Sequence, residues 1–172
     1  MTHATLTALA AFPDLLEAHY GAIPQGFANW APPSWEGVPS EPFTALGQVC
    51  HVRDIEIDGY HVRLRRTLRE DHPRLEPIDG EALARERDYA HANAADALVA
   101  FRAARHDTLE LLAGLAPHQL ARTAVFAEHG VVTVRALVHY LCSHDQQHLA
   151  GLQWLLGRID SLQRHSSRSA AP

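Results

Sequence analysis

The sequence predicts an all-α protein built as a four-helix bundle in one domain. Three observations predict it. Apolar residues in the long segments recur at helical spacing instead of alternating. β-Branched residues are sparse in those segments. The links between them are short or moderate, which favours antiparallel neighbours. A length of 172 residues, 47% of them hydrophobic, suits a single domain with a real core. That domain is expected over residues 1–160. The remainder, 161–172, is small and polar and is expected to be disordered.

The first helix is expected over residues 3–20, with Leu6, Leu9, Leu15 and Leu16 on one side. Gly21 and Pro24 then stop it. Residues 21–42 are rich in Pro, Gly and Trp and form a long loop between helices one and two. A loop of that length in a compact domain usually packs over something or serves function. The second helix is expected from Pro42, a residue suited to a first turn, to Arg69. Leu46, Cys50, Ile57, Leu64 and Leu68 mark its apolar side. Residues 71–80 read as turns. The third helix is expected over 81–115, with Leu98, Phe101, Leu112 and Leu115 on a stripe. Gly114 and Pro117 end it. Residues 118–132 read as a loop. Thr133 caps a fourth helix that runs to about Ile159.

Composition excludes several functions. All 15 cationic side chains are arginine. Without lysine there is no complete Walker-A loop and no Schiff base. The net charge of −5 leaves no basic footprint for nucleic acid. No apolar run approaches the roughly 20 residues that span a bilayer. The start, MTHATLTALAAF, lacks a cationic n-region and reads as an amphipathic helix. Cys50 and Cys142, far apart in apolar stretches, are expected as free thiols in a reducing cytoplasm.

Chemistry is to be sought among the 13 histidines. His144 and His148 stand at i, i+4, close enough on one helix face to share a metal ion. Spacing alone says little, because about one such pair is expected by chance in so histidine-rich a chain. Position says more. The core seam of helix four reads Leu137, Leu141, His144, His148, Gly151, Leu155, so both imidazoles face the other helices. Buried imidazoles need partners. A shared cation supplies one solution, and hydrogen bonds to carboxylates or carbonyls supply the other.

His51, in the apolar middle of helix two, is the best third ligand. Asp54 and Asp58 follow it closely enough to orient an imidazole or a water. His61 and His139 are poorer candidates. His91, His106, His118, His129 and His165 are expected in loops or at the surface. Arg53 and Arg105 fall on apolar stripes and are expected to pair with acids such as Asp54, Asp58 or Asp145. HDQQH approaches the zinc-protease HExxH, but Asp145 is a methylene shorter than the required Glu. No Glu-x-x-His, GxSxG or dinucleotide loop is present.

The run Val49–Tyr60, the Phe101-x-x-x-Arg105 pair, Gly130–Thr133 and His144–Gln153, in that order and spacing, resemble the DinB-like superfamily, the DinB/YfiT-like metalloenzymes. The likeness covers about residues 43–159. It implies a four-helix bundle that holds a divalent metal, nickel or zinc foremost, on one histidine of helix two and an HxxxH pair. Those positions are His51, His144 and His148. It further implies a homodimer acting on a small molecule. Relatives include transferases that use low-molecular-weight thiols and a maleylpyruvate isomerase. The expected chemistry is activation of such a thiol for attack on an electrophile, with Asp54, Asp58 or Asp145 handling protons. A metal-dependent hydrolase is the alternative, and a non-catalytic metal-binding bundle the third reading.

Overall fold

The computed structural model describes residues 2–169, apart from the side chains of Glu128 and 165–169. The side chain of His165 and the end of the expected polar tail, residues 170–172, thus lie outside it. Four helical rods form the bundle. α1 spans His3–Gly21. The second rod is continuous but not uniform: α2 (Ala45–Asp54), a π-helical turn (Ile55–Tyr60) and α3 (His61–Arg69). Then come β1 (Arg74–Leu75) and the short α4 (Gly80–Glu86). α5 spans Ala94–Ala113, α6 Pro117–Leu120, β2 Thr123–Phe126, β3 Gly130–Thr133 and α7 Val134–Ser169. α1, the α2–α3 rod, α5 and α7 pack on one another. None of the described helices is long and apolar enough to cross a membrane.

Side-chain caps set where the rods begin. Thr2, Thr44 and Asn93 accept from backbone amides of α1, α2 and α5, and Thr133 Oγ1 accepts from Ala136 N at 3.1 Å, as expected for helix four. Thr44, not Pro42, therefore opens helix two. The Asn93 cap also breaks the expected third helix. Its side chain takes the amides of Ala95 and Asp96, and a 3₁₀ turn at Tyr89–His91 separates α4 from α5. α7 runs past Ile159 to Ser169.

The core lies in two apolar clusters along the bundle, one around Leu64, Leu137 and Leu141, the other around Phe12, Phe101 and Leu152. Ile57, expected on the apolar side, is 37% exposed. The wider π turn buries Ile55 and Tyr60 instead. Leu15 likewise points out while Leu9 and Leu16 are buried.

Residues 118–132, expected as loop, hold a hairpin. β2 pairs antiparallel with β3, Ala124 opposite Val132, and β1 adds in parallel at Arg74↔Val125. Gly130, at φ +68, makes the turn without a Cβ penalty. Ala124, Phe126 and Val132 close the bundle at one end. The long loop between α1 and α2 crosses α7, where Trp35 stacks on Trp154 at 6.0 Å.

Candidate metal centre

α2 supplies His51 and α7 supplies His144 and His148. The seam expected on helix four is observed: Leu137, Leu141, His148, Gly151 and Leu155 are buried and His144 is half-buried. The three Nε2 atoms converge. His51 lies 3.2 Å from His144, and His148 lies 3.1 Å from His144. Glu41, from the loop before α2, completes the group. Its carboxylate is 3.2 Å from His148 Nε2 and 3.7 Å from His51 Nε2. All four donor atoms lie within 4.8 Å of one another.

Gln48 fixes how His148 is presented. Its amide nitrogen donates to Ser40 Oγ at 2.9 Å and to the carbonyls of Phe43 (3.1 Å) and Glu41 (3.3 Å). That leaves Gln48 Oε1 facing His148 Nδ1. An amide oxygen only accepts, so Nδ1 carries the hydrogen and the Nε2 lone pair is free to face the centre. The same glutamine thereby ties the Glu41 backbone to the histidine.

Gly151 gives this loop its room, since a Cβ there would strike Ser40 and lie 3.0 Å from Gln48 Nε2. Gly80, at the start of α4, does the same for His51. A Cβ at Gly80 would sit 2.7 Å from His51 Cε1.

The donor set fits a divalent cation. Burial holds the His51 imidazole down at about 4, helped by His148, and lowers His144 as well. Both rings are therefore neutral and ligand-ready near neutral pH. The His148 imidazole beside it holds the Glu41 carboxyl well below the usual carboxylate range, so the carboxylate is anionic. Neutral rings this close cannot all satisfy one another. His51 Nδ1 and His144 Nδ1 are buried without partners. Nitrogen pairs around a tetrahedral ion with bonds of about 2.0–2.1 Å lie about 3.3 Å apart, near the observed spacings.

The three expected acids are elsewhere engaged. Asp54 takes Arg53 (2.7 Å), Arg87 (2.8 Å) and the Tyr89 hydroxyl (2.7 Å). Asp58 pairs with Arg87 at 2.8 Å. Asp145 pairs with Arg105 at 2.8 Å, and Arg105 also holds Glu56 at 2.9 Å. None of the three touches the histidine cluster, so the expected proton-handling role does not find its geometry. The arginine pairing of Arg53 and Arg105 does.

Glu41 is the donor that sequence reasoning missed. The expected loop contained it, but a loop has no period to aim a side chain. His61 is buried in the core, its Nε2 near Ala104 O (2.9 Å) and Thr108 Oγ1 (3.0 Å). His129, expected at the surface, is exposed but also lines a cavity of about 340 Å³ with Glu41, His51 and His144. Tyr60, Arg63 and Phe126 complete much of its wall. A larger cavity, about 460 Å³, lies beside Phe43 and Tyr89 and contains none of the four donors. Cys50 and Cys142 are free thiols, as expected.

Comparison with known proteins bears on the family and the fold. The sequence model of a family described as the DinB superfamily matches residues 8–152. Among solved structures, YfiT from Bacillus subtilis superposes with a TM-score of 0.80 over 93% of this chain and 90% of its own, at 17% identity. YfiT is described as a probable metal-dependent hydrolase with an unusual four-helix bundle topology. At that identity the likeness shows a shared fold. No curated protein matches.

Proposed function

The chain belongs to the DinB superfamily, and from that membership we propose that it is a metal-dependent hydrolase of a small molecule. His51, His144 and His148 would hold one divalent cation, zinc or nickel, through Nε2. When bound, the cation supplies Lewis acidity, which lowers the pKa of a nucleophile and polarises a carbonyl. The observation that carries the reading is the convergence of two buried imidazoles and a half-buried one with one half-exposed carboxylate at the edge of a cavity.

The chain's own residues divide the remaining work. Glu41 is anionic, is anchored through Gln48 and stands on the solvent side of the histidines. It is the carboxylate placed to accept a hydrogen bond from an incoming nucleophile and orient it. Gln48 keeps His148 in one tautomer. Ile55 and Tyr60 give the cavity walls that exclude bulk water from one side. A cavity of about 340 Å³ takes one small reactant beside the donors, which favours water as the second reactant. The description of YfiT supports the same class. Transfer of a low-molecular-weight thiol is the second reading. The half-exposed Glu41 favours it, since a thiol arriving from solvent would meet that carboxylate first.

Metal analysis and turnover test both readings together. Purified protein should carry about one divalent ion per chain, and His148→Ala should lose it. Glu41→Gln should reduce turnover of an activated ester by about 100-fold or more. Absence of metal above background sinks the proposal. Turnover that requires an added thiol replaces hydrolysis with transfer.

A further inference from the structure

Arg63 is the charged wall of the same cavity, and the metal reading gives it no task. It is 7% exposed. Its guanidinium lies over the Phe126 ring at 4.5 Å and the Tyr60 ring at 5.2 Å. These π faces offset part of the charge but accept nothing in the guanidinium plane. In that plane, among the described residues, the acceptor is the Glu76 carbonyl, at a long 3.4 Å. Nε has no partner. No described carboxylate forms an ion pair with it, whereas Arg105, also buried, holds two. A buried charge without its counter-ion costs several kcal/mol by general experience. The backbone nevertheless makes room for this one. A Cβ at Gly59, inside the π turn, would lie 3.2 Å from Arg63 Nη1 and 3.3 Å from Ile78 Cδ1.

We propose that Arg63 is the subsite for a carboxylate of the substrate, so that the substrate class is a small, singly charged organic acid derivative. The proposal rests on the hydrolase reading for the reaction, but not for the binding. Arg63, His51, His144 and Glu41 line one cavity. A molecule anchored by its carboxylate at Arg63 presents its other end to the histidines, with Ile55, Pro77 and Ile78 against its apolar body. A carboxylate suits the planar fork of a guanidinium. A phosphoryl dianion suits this cavity less. Arg63 is the one arginine among its lining residues, and the Glu41 carboxylate lines the same cavity.

Calorimetric titration with three probes tests this, on the protein as purified and after chelation. Benzoate should bind at least tenfold more tightly than its neutral isostere benzamide, with or without metal. Arg63→Gln should abolish that preference, and Arg63→Lys should retain part of it. In the unaltered protein, the NMR resonances of the Arg63 guanidinium should shift on adding benzoate, which keeps the test open if a variant fails to fold. Equal binding of benzoate and benzamide overturns the proposal. So does benzoate binding that disappears on chelation and ignores Arg63→Gln. Tighter binding of inorganic phosphate than of benzoate overturns the carboxylate assignment. Metal content is unaffected by any of these outcomes, so failure here and failure of the hydrolase reading are separately visible.

Discussion

Gln48 makes the His148 imidazole a one-sided group, and much of the site's quality rests on that bond. Gln48→Leu keeps the size but removes both the acceptor for Nδ1–H and the tether to the Glu41 carbonyl. Metal affinity should fall about 10- to 100-fold, measured by competition with a chromophoric chelator. Gly80→Ala acts on the opposite ring. The added methyl would meet His51 Cε1 at 2.7 Å and push the imidazole off its position. The same competition assay should show affinity falling by about tenfold, with helix content by circular dichroism unchanged. At this scale the histidines were legible in the sequence, since helical period and an apolar neighbourhood are enough to aim a side chain into the bundle. Glu41 was not. Its direction comes from Gln48 and Ser40 catching a loop, and those contacts have no sequence period. Arg63 was not legible either, because its lack of a partner emerges only once its neighbours are placed.

Among the elements, a buried ionic link joins the π turn, α5 and α7. Arg105 on α5 grips Glu56 and Asp145 in two-pronged contacts of 2.8–3.0 Å, and Thr108 donates to Glu56 at 2.6 Å. Each of the three ionic groups is at most 1% exposed. Arg105→Met leaves two carboxylates in the core with no cation. It should destabilise the fold by about 3–5 kcal/mol in urea unfolding, and adding Glu56→Gln and Asp145→Asn should restore much of the loss. If Arg105→Met alone costs nothing, the ion pair is not holding these elements together. The rods themselves were legible, because each repeats its apolar pattern over several turns. The small sheet was not. Its strands have two to four residues, too short to establish alternation. The break between α4 and α5 was hidden for a related reason: alanine-rich sequence permits helix on both sides, and only the Asn93 cap interrupts it.

For the molecule as a whole, the buried imidazoles set a pH dependence of stability. In the folded protein His51 is held at about 4, and His144 is lowered too; in the unfolded chain both titrate near the ordinary value of about 6.5. Between those limits the unfolded chain binds more protons, so stability rises with pH and is lost as pH falls from about 6.5 towards 4. Glu41, lowered to about 2, adds a contribution that is complete above about 4.5 and disappears as pH falls below it. Melting of chelated protein at pH 7, 5.5 and 4.5 should show a steady decline, and His51→Gln should flatten its upper part. A constant melting temperature across that range would contradict the burial of these rings. The fold class was readable at this scale, since four long amphipathic segments have few other ways to cover their apolar faces.

The π turn between α2 and α3 determines which residues can meet across the cavity. A regular α-helix advances about 100° per residue, so twelve residues of it would leave Arg63 about 120° round the axis from His51. An i→i+5 turn absorbs one extra residue and takes back about 100°. His51 and Arg63 then differ by only about 20° of azimuth and look into the same space. The wider turn, by taking up one residue, sets that alignment. Forcing the same twelve residues into regular α-helix would keep every side chain of the centre and yet swing the guanidinium out of the chamber that holds the imidazoles.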